Sequence, residues 1–149
     1  MQETLRTVGL ADEQFAHADR AKDPDWMHYY DRAQHLGNTG HALWDLAVPE
    51  GEAEQEAASR LASAVAGHTE TYVRSRAMSG IKQASLCMTV GDPQEAAVIG
   101  ARALKDAQSL RSRRAADDLR DLDRRPTVFD RVDEVAELRH DIRNALAAS

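Results

Sequence analysis

The sequence predicts an all-α protein. Three observations lead to this class: the composition, the spacing of the apolar residues and the positions of the four prolines. Alanine and leucine, which favour helices, supply 26 and 13 of the 149 residues, whereas Val, Ile and Thr together supply 19. Between the prolines, apolar residues recur with a period of about 3.6, and no stretch shows the alternation that is typical of a strand.

The first half of the chain is predicted to form four helices. Asp23 is a suitable N-cap before Pro24, the glycines at 37–40 indicate a break, and Pro49 marks a boundary before an alanine-rich stretch. We therefore expect helices over residues 3–21, 24–36, 38–47 and 52–67.

The second half contains the clearest boundary signal. Gly91 is a C-terminal stop, Asp92 an N-cap and Pro93 the first residue of the next helix. Thr127 and Asp130 have the spacing of a capping box before the last helix. We expect helices over residues 70–90, 93–109, 112–124 and 128–147.

Length and charge limit the functional classes. The chain is expected to be one domain, residues 1–149, that is long enough to bury a sizeable core. A net charge of −6 has the wrong sign for a chain that binds DNA or RNA directly. No apolar run reaches the ~20 residues of a membrane span, and the charged N-terminus differs from a secretory signal. With one cysteine, Cys87, these features predict a cytoplasmic protein.

The predicted contact faces of the helices carry small residues, which let helix backbones approach closely, as in stacked antiparallel helix pairs. The tetratricopeptide repeat has a period of 34 residues, small residues at fixed places and a turn between two helices. If Ala77 is position 1 of such a repeat, the turn falls at 91–93. The small residues that we assign to contact faces are Gly40, Ala42, Ala53, Ala57, Ala84, Cys87, Ala96, Gly100 and Ala103.

Four stretches carry a resemblance to a known family. They are residues 23–31 with Gly37 and 40–43, then 72–77, 91–96 and 110–113. They resemble the tetratricopeptide repeats in the C-terminal region of actinobacterial transcriptional regulators, whose N-terminal domain is a helix-turn-helix of the phage-repressor type. The likeness covers residues 10–147.

This resemblance implies a solenoid with units at about 24–69 and 70–110, and C-terminal helices over 111–149 that include a capping helix. It also implies a non-enzymatic module that binds a small molecule, a peptide or a protein in a concave groove and supports dimerisation. The helix-turn-helix itself is not found in this sequence, so DNA binding is not assigned to these residues. A free-standing scaffold that binds a peptide or a partner helix is the alternative.

The repeat register predicts the groove residues. In the first unit they are Gln34, Gly37, His41 and Trp44, and in the second they are Met78, Ile81, Ser85 and Met88. Of Arg74 and Arg76, one is expected to reach a carboxylate across the helix stack and the other to face the groove as an anion anchor, with a structural use as the alternative; Arg74 is counted among the groove residues. The alternative for Trp44, Met78 and Met88 is that they fill the core between helices.

Other candidate sites have competing interpretations. Trp26, Tyr29 and Tyr30 form either a contact patch or, for Trp26 and Tyr30 at i, i+4, an inward-packing pair. His28, His35 and His41 lack the i, i+4 spacing of helical zinc ligands, so we expect no metal, although a helical metalloprotein that uses these three histidines remains a third hypothesis for the function. The sequence contains no nucleophile elbow and no glycine-rich phosphate loop, so we expect no catalytic residue, no enzyme activity and no cofactor. Cys87 is expected to be a buried, inert thiol.

Two features near the C-terminus concern charge and assembly. Arginines alternate with aspartates, which is typical of a solvated helix face with ion pairs. The last helix places Val128, Val135 and Ile142 seven residues apart, which fits either a cap on the solenoid or a dimer seam. The charged residues are Arg111, Arg113, Arg114, Asp117, Asp118, Arg120, Asp121, Asp123, Arg124 and Arg125.

Overall fold

The structure, a computed structural model, describes residues 2–51, 53–125 and 131–148. These residues form α-helices and single 3-10 turns with no strand, which confirms the all-α class. None of the described helices is long and apolar enough to cross a membrane. The α-helices are α1 (Gln2–His17), α2 (Arg32–Glu50), α3 (Glu54–Gly67), α4 (Val73–Val90), α5 (Pro93–Gln108), α6 (Arg113–Arg124) and α7 (Asp133–Ala147), and the 3-10 turns are Arg20–Lys22, Asp25–Met27 and Glu70–Tyr72.

The predicted helix over 24–36 is wrong in its first half. Asp25–Met27, directly after Pro24, forms a 3-10 turn instead of an α-helix. The N-cap of α2 is Asp31, whose Oδ1 accepts a hydrogen bond from the Gln34 backbone N–H at 2.9 Å. The helix therefore starts where a side chain satisfies its free N–H groups.

The predicted break at residues 37–40 is also wrong, because α2 runs through it as one helix. A Cβ at Gly40 would lie 3.1 Å from Leu61 Cγ, so this glycine serves close approach of α3 and not a turn. The helix ends at Glu50, where Gly51 adopts a left-handed backbone with φ of 66°. That ending is the C′ glycine arrangement that helices commonly use.

Later boundaries agree better with the sequence. Asp92 caps α5 as predicted, because its side chain accepts hydrogen bonds from the backbone N–H groups of Gln94 and Glu95. The last helix begins at Asp133 and not at residue 128, because the residue before Asp133 has an extended backbone. The predicted capping box of Thr127 and Asp130 lies outside the described residues.

Consecutive helices form antiparallel pairs. In the pair α2/α3, a Cβ at Gly67, the last residue of α3, would lie 3.0 Å from Ala33 Cβ in the first turn of α2. In the pair α4/α5, a Cβ at Gly80 would lie 2.9 Å from Ala103 Cβ. At Gly80 an added methyl group would force α4 and α5 to shift, and at Gly67 it would make a tight contact with Ala33.

A third pair, α6/α7, completes the fold. Arg139 in the first half of α7 donates to the Arg125 carbonyl just after α6 at 2.7 Å, while Ala115 at the start of α6 and Leu146 at the end of α7 line one cavity, so the two helices are antiparallel. The helix α7 also runs beside α5, where Gln94 donates to Glu134 at 3.1 Å. The helix α7 therefore packs against both α5 and α6.

The core lies mainly around α4, which packs against α2, α3, α5 and α6. Val135 and Ile142 of the predicted seam are fully buried in this core, so their face of α7 is covered by the chain itself. The small residues assigned to contact faces are buried as expected at the positions Ala57, Ala84, Ala96, Gly100 and Ala103.

Candidate functional site

The helices α2, α4 and α6 lie side by side, and polar side chains join them along one face. Gln34 Nε2 of α2 donates to Ser75 Oγ of α4 at 3.1 Å. Two turns later on α2 and one turn later on α4, His41 Nε2 lies 3.3 Å from Ser79 Oγ. These contacts run in the same order along both helices, so α2 and α4 are parallel. We call this surface the stack face.

Lys82 of α4 is the centre of the stack face. It is buried, with 8% of the residue exposed. Its Nζ lies 3.5 Å from the centroid of the Trp44 ring of α2 and 3.9 Å from Asp118 Oδ1 of α6. Arg125, which follows α6, places its Cζ 5.3 Å from the same ring. We call Trp44, Lys82, Asp118 and Arg125 the Lys82 cluster.

The Lys82 cluster contains buried polar atoms that lack partners among the described residues. They are Trp44 Nε1, Asp118 Oδ2 and Arg125 Nε. Lys82 Nζ itself has the Asp118 contact at 3.9 Å, which is too long for a hydrogen bond. Nearly all buried polar atoms in folded proteins are hydrogen-bonded, so three such atoms around one lysine set the Lys82 cluster apart from an ordinary structural ion pair.

The electrostatics of the cluster follow from burial with incomplete pairing. Burial lowers the pKa of Lys82, and the nearby Asp118 and Asp45 only partly oppose this effect. Burial likewise raises the pKa of Asp118 and lowers the pKa of Arg125. Each charged form is thus less stable than it is in water, which is typical of binding sites more than of structural ion pairs.

His41 borders the cluster as a neutral donor and acceptor. Burial first, then the positive charges of Lys82 and Arg114, lower its pKa to about 4. The imidazole is therefore uncharged at neutral pH, and its hydrogen bond with Ser79 joins α2 to α4 without adding a charge.

The structure brings some of the predicted groove residues together and separates others. Gln34, His41 and Trp44 lie on the stack face and are half-buried. Arg74 is exposed, with no ion pair or hydrogen bond among the described residues, and Ser85 is buried.

The predicted groove residues Met78, Ile81 and Met88 are core residues. They are buried in the cluster that α4 forms with α5, α6 and α7, which is the packing alternative for the two methionines. The physical reason is that α4 is covered on several sides, so its apolar residues turn toward those neighbours. The polar residues Ser79 and Lys82 are left to form the stack face.

Sequence reasoning missed Lys82 altogether. A signal was present, because Lys82 is the single charged residue between Ala77 and Val90. A lone charge inside a helix that is covered on several sides must either find a partner or serve a function. Asp118 and Arg125 were assigned to a solvated face, but both are partly buried, and Asp118 Oδ1 faces Lys82.

The remainder of the arginine-rich segment is solvated as predicted. Arg120 pairs with Asp117 at 2.7 Å on the outer side of α6. Arg76 also behaves as predicted, because its guanidinium reaches across to Asp106 of α5 at 2.7 Å and to Glu70. The exposed arginines are Arg111, Arg113, Arg114, Arg120 and Arg124.

A second polar network attaches α1 to α2 and α3. Arg60 donates to both carboxylate oxygens of Asp12, at 2.9 and 2.6 Å, to Glu56 at 2.7 Å and to Thr39 at 2.9 Å. His35 Nε2 also contacts Asp12, at 2.7 Å. The hydrogen bonds to Asp12, of which the one from Arg60 has the largest effect, lower the pKa of this carboxyl group to about 2. We call these five residues the Arg60 network.

The structure also shows the surroundings of the aromatic residues near position 30 and of Cys87. Tyr30 is half-buried and meets the Phe15 ring edge-on, whereas Trp26 is 72% exposed, so its predicted inward packing is wrong. The i, i+4 argument fails because residues 26–30 are not α-helical. Burial, with Glu95 and Asp92 nearby, raises the pKa of the Cys87 thiol to about 11.

The described residues contain no group of three or more His, Cys, Asp or Glu side chains placed to hold a metal ion. Of the three histidines considered for this role, His28 is exposed, His35 contacts Asp12 and His41 contacts Ser79. Comparison of the chain with models of protein families, with curated proteins and with solved structures finds no match.

Proposed function

We propose that this chain is a tetratricopeptide-like solenoid that serves as a non-catalytic, ligand-binding module of a transcriptional regulator. The ligand, a small molecule or a peptide, binds on the stack face at the Lys82 cluster. The regulatory role rests on the family resemblance of the repeats. In that role, ligand binding shifts an equilibrium between arrangements of the helices or of the protomers.

The pairing of the helices supports the solenoid. Three antiparallel pairs follow one another, α2/α3, α4/α5 and α6/α7, and α4 lies between α2 and α6. The first helices of successive repeats meet in the same way in helical-repeat proteins and line one continuous surface there.

The Lys82 cluster is the observation that carries the binding role. It joins residues of all three first helices, and it contains an aromatic ring, a buried ammonium group and three unpartnered polar atoms. A ligand that satisfied these atoms would bridge α2, α4 and α6 and would thereby stabilise one arrangement of the stack.

The two tryptophans provide a matched test. Trp44 lies in the cluster and Trp26 is 72% exposed, and the chain has no other tryptophan. We expect a thermal-shift screen with carboxylic acids, phosphates, amines and short peptides to contain compounds that raise the Tm of the chain. Trp44→Phe should abolish that rise, while Trp26→Phe should preserve it.

A scaffold for a partner protein is the second candidate, and the exposed aromatic pair Trp26 and Tyr29 favours it. This candidate predicts the opposite pattern in the same screen. Peptides alone would bind, and binding would depend on Trp26 and not on Trp44. A screen in which no compound raises the Tm would contradict the ligand-binding role.

A further inference from the structure

We propose that the Lys82 cluster binds an oxyanion, the carboxylate or phosphate group of its ligand, between Lys82, Arg125 and the Trp44 N–H. This inference deepens the proposed function and rests on it. Three observations support it: the excess of unpartnered donors over acceptors at the cluster, the positive charges there, and the contrast with Arg76, an equally buried cation that is fully paired.

The unpartnered polar atoms of the cluster are mainly donors. Trp44 Nε1 and Arg125 Nε each offer one N–H, and neither finds an acceptor within the described part of the chain. The Lys82 ammonium offers three further N–H groups. Against these, Asp118 Oδ2 is the one unpartnered acceptor at the cluster. A ligand that fits must therefore supply acceptors, and an oxyanion supplies several from one group.

The charges favour the same ligand. Lys82 and Arg125 both face the cluster, and Arg114 acts on it from the surface of α6. The carboxylates whose fields reach Lys82 are Asp118 and Asp45, and Asp118 is 3.9 Å away. Burial is the largest influence on the pKa of both Lys82 and Arg125, and Asp118, Asp45 and Asp121 offset it only in part. Water would satisfy the donors but would leave two buried cations beside the single carboxylate of Asp118, whereas an oxyanion supplies both acceptors and negative charge.

Arg76 shows how this chain pairs an inter-helix cation when the role is structural. Its side chain is as buried as that of Lys82, 11% exposed in each case. Arg76 nevertheless has the bidentate Asp106 at 2.7 and 2.8 Å, and Glu70 in addition. Within the described residues, Lys82 has no hydrogen bond of this kind, only the Trp44 ring at 3.5 Å and Asp118 at 3.9 Å.

The test uses the fluorescence of Trp44. Trp26→Phe makes Trp44 the single tryptophan, and Lys82 Nζ lies 3.5 Å from its ring centroid, so binding at Lys82 alters the emission. The full chain is titrated with succinate, with inorganic phosphate and with 1,4-diaminobutane at constant ionic strength. We expect a saturable change with an oxyanion and none with the diamine. Whichever of succinate and phosphate binds more tightly identifies the source of the oxyanion.

Variants in the same background locate the site. Lys82→Met should weaken oxyanion binding by about tenfold or more, since charge-assisted hydrogen bonds are lost. Lys22→Met, which changes an exposed lysine, should leave the Kd unchanged. Arg125→Met provides a second test with the same expected direction, and circular dichroism checks that each variant is folded.

Three results would overturn the proposal: saturation by the diamine alone, no saturation by either oxyanion, or oxyanion binding that both Lys82→Met and Arg125→Met leave intact. If an oxyanion fails here while another compound class still raises the Tm in a Trp44-dependent way, the ligand chemistry is wrong and the binding role stands. If both experiments fail, the binding role falls as well.

Discussion

Arg60 and Lys82 are equally buried cations that join helices, and the fold treats them differently. Their side chains are 13% and 11% exposed. Arg60 donates to Asp12 through two nitrogens and also reaches Glu56 and Thr39. Lys82 has an aromatic ring at 3.5 Å and one carboxylate at 3.9 Å.

The pKa shifts in the two places have opposite signs. Hydrogen bonds raise the pKa of Arg60 and lower that of Asp12, whereas burial lowers the pKa of Lys82 and raises that of Asp118. The two cation side chains are similarly exposed, but Asp118 is 18% exposed and Asp12 38%, so both the hydrogen-bond partners and the burial of the carboxylate contribute to the difference. The Arg60 network is fully hydrogen-bonded, whereas the Lys82 cluster retains polar atoms without partners among the described residues.

Arg60→Met should produce the largest effect. It removes the four hydrogen bonds that Arg60 donates to Asp12, Glu56 and Thr39, and it leaves Asp12 with the contact to His35. We expect the free energy of unfolding to fall by about 3 kcal/mol, the lower end for a broken buried pair because Asp12 is 38% exposed. Urea denaturation measures this change. Arg120→Met, at an exposed pair, is the control, and a loss for Arg60→Met as small as the control's would contradict the structural role.

The second-largest effect should be the contribution of His41 to the pH dependence of stability. Its folded-state pKa of about 4 lies below the usual histidine value of 6.5, so the unfolded chain binds this proton first as the pH falls. The stabilising contribution is present above 6.5 and is lost toward 4, which amounts to about 2 kcal/mol between pH 7 and pH 5.

The variant His41→Gln should remove that part of the pH dependence while retaining a hydrogen-bonding group near Ser79. The comparison with the unaltered chain matters because the pKa of His68 is lowered too, by burial, and acts in the same direction. Equal slopes of unfolding free energy against pH for the two chains would show that His41 is not held neutral.

Replacing the Lys82–Asp118 pair with apolar side chains should not lower the free energy of unfolding. In Lys82→Met/Asp118→Leu, two buried charges that lack hydrogen bonds to each other give way to apolar side chains of similar size. We expect the free energy of unfolding to rise by about 1 kcal/mol, as when buried pairs are replaced elsewhere. Thermal and urea denaturation without added anions measure it, and a marked loss of stability would make Lys82 a structural residue like Arg60.

The smallest effect should come from Glu56→Gln. Glu56 is 57% exposed and contacts Arg60 from one turn away on the same helix. Such i, i+4 pairs contribute about 0.3–0.5 kcal/mol, so the loss should stay within that range. A larger loss would mean that Glu56 and not Asp12 carries the Arg60 network.

Local sequence signals predicted a helix boundary correctly where a single side chain caps the helix. Asp92 caps α5 in the structure through hydrogen bonds to its own neighbours, and this contact needs no other part of the fold. Gly40 is the contrary case. Its sequence context suggests a break, but the packing of Leu61 against it explains the glycine, and that contact joins residues 21 positions apart.

The same distinction applies to the site. Gln34, His41 and Trp44 were predicted to line a groove, and in the structure they contact α4 on the stack face. On α4 the register failed, since four helices compete for its surface and the apolar residues Met78 and Met88 turn toward the core.

By itself, the sequence determined the helical class, the start of α5 and the small residues between helices, because propensity, capping and side-chain volume act over a few residues. The tertiary structure decided which charges are paired. Arg60 and Asp12 lie 48 residues apart, and Lys82 meets Trp44 and Asp118 from separate helices. Pairing of charges depends on distances of a few ångströms, and only the packing of the helices sets those distances.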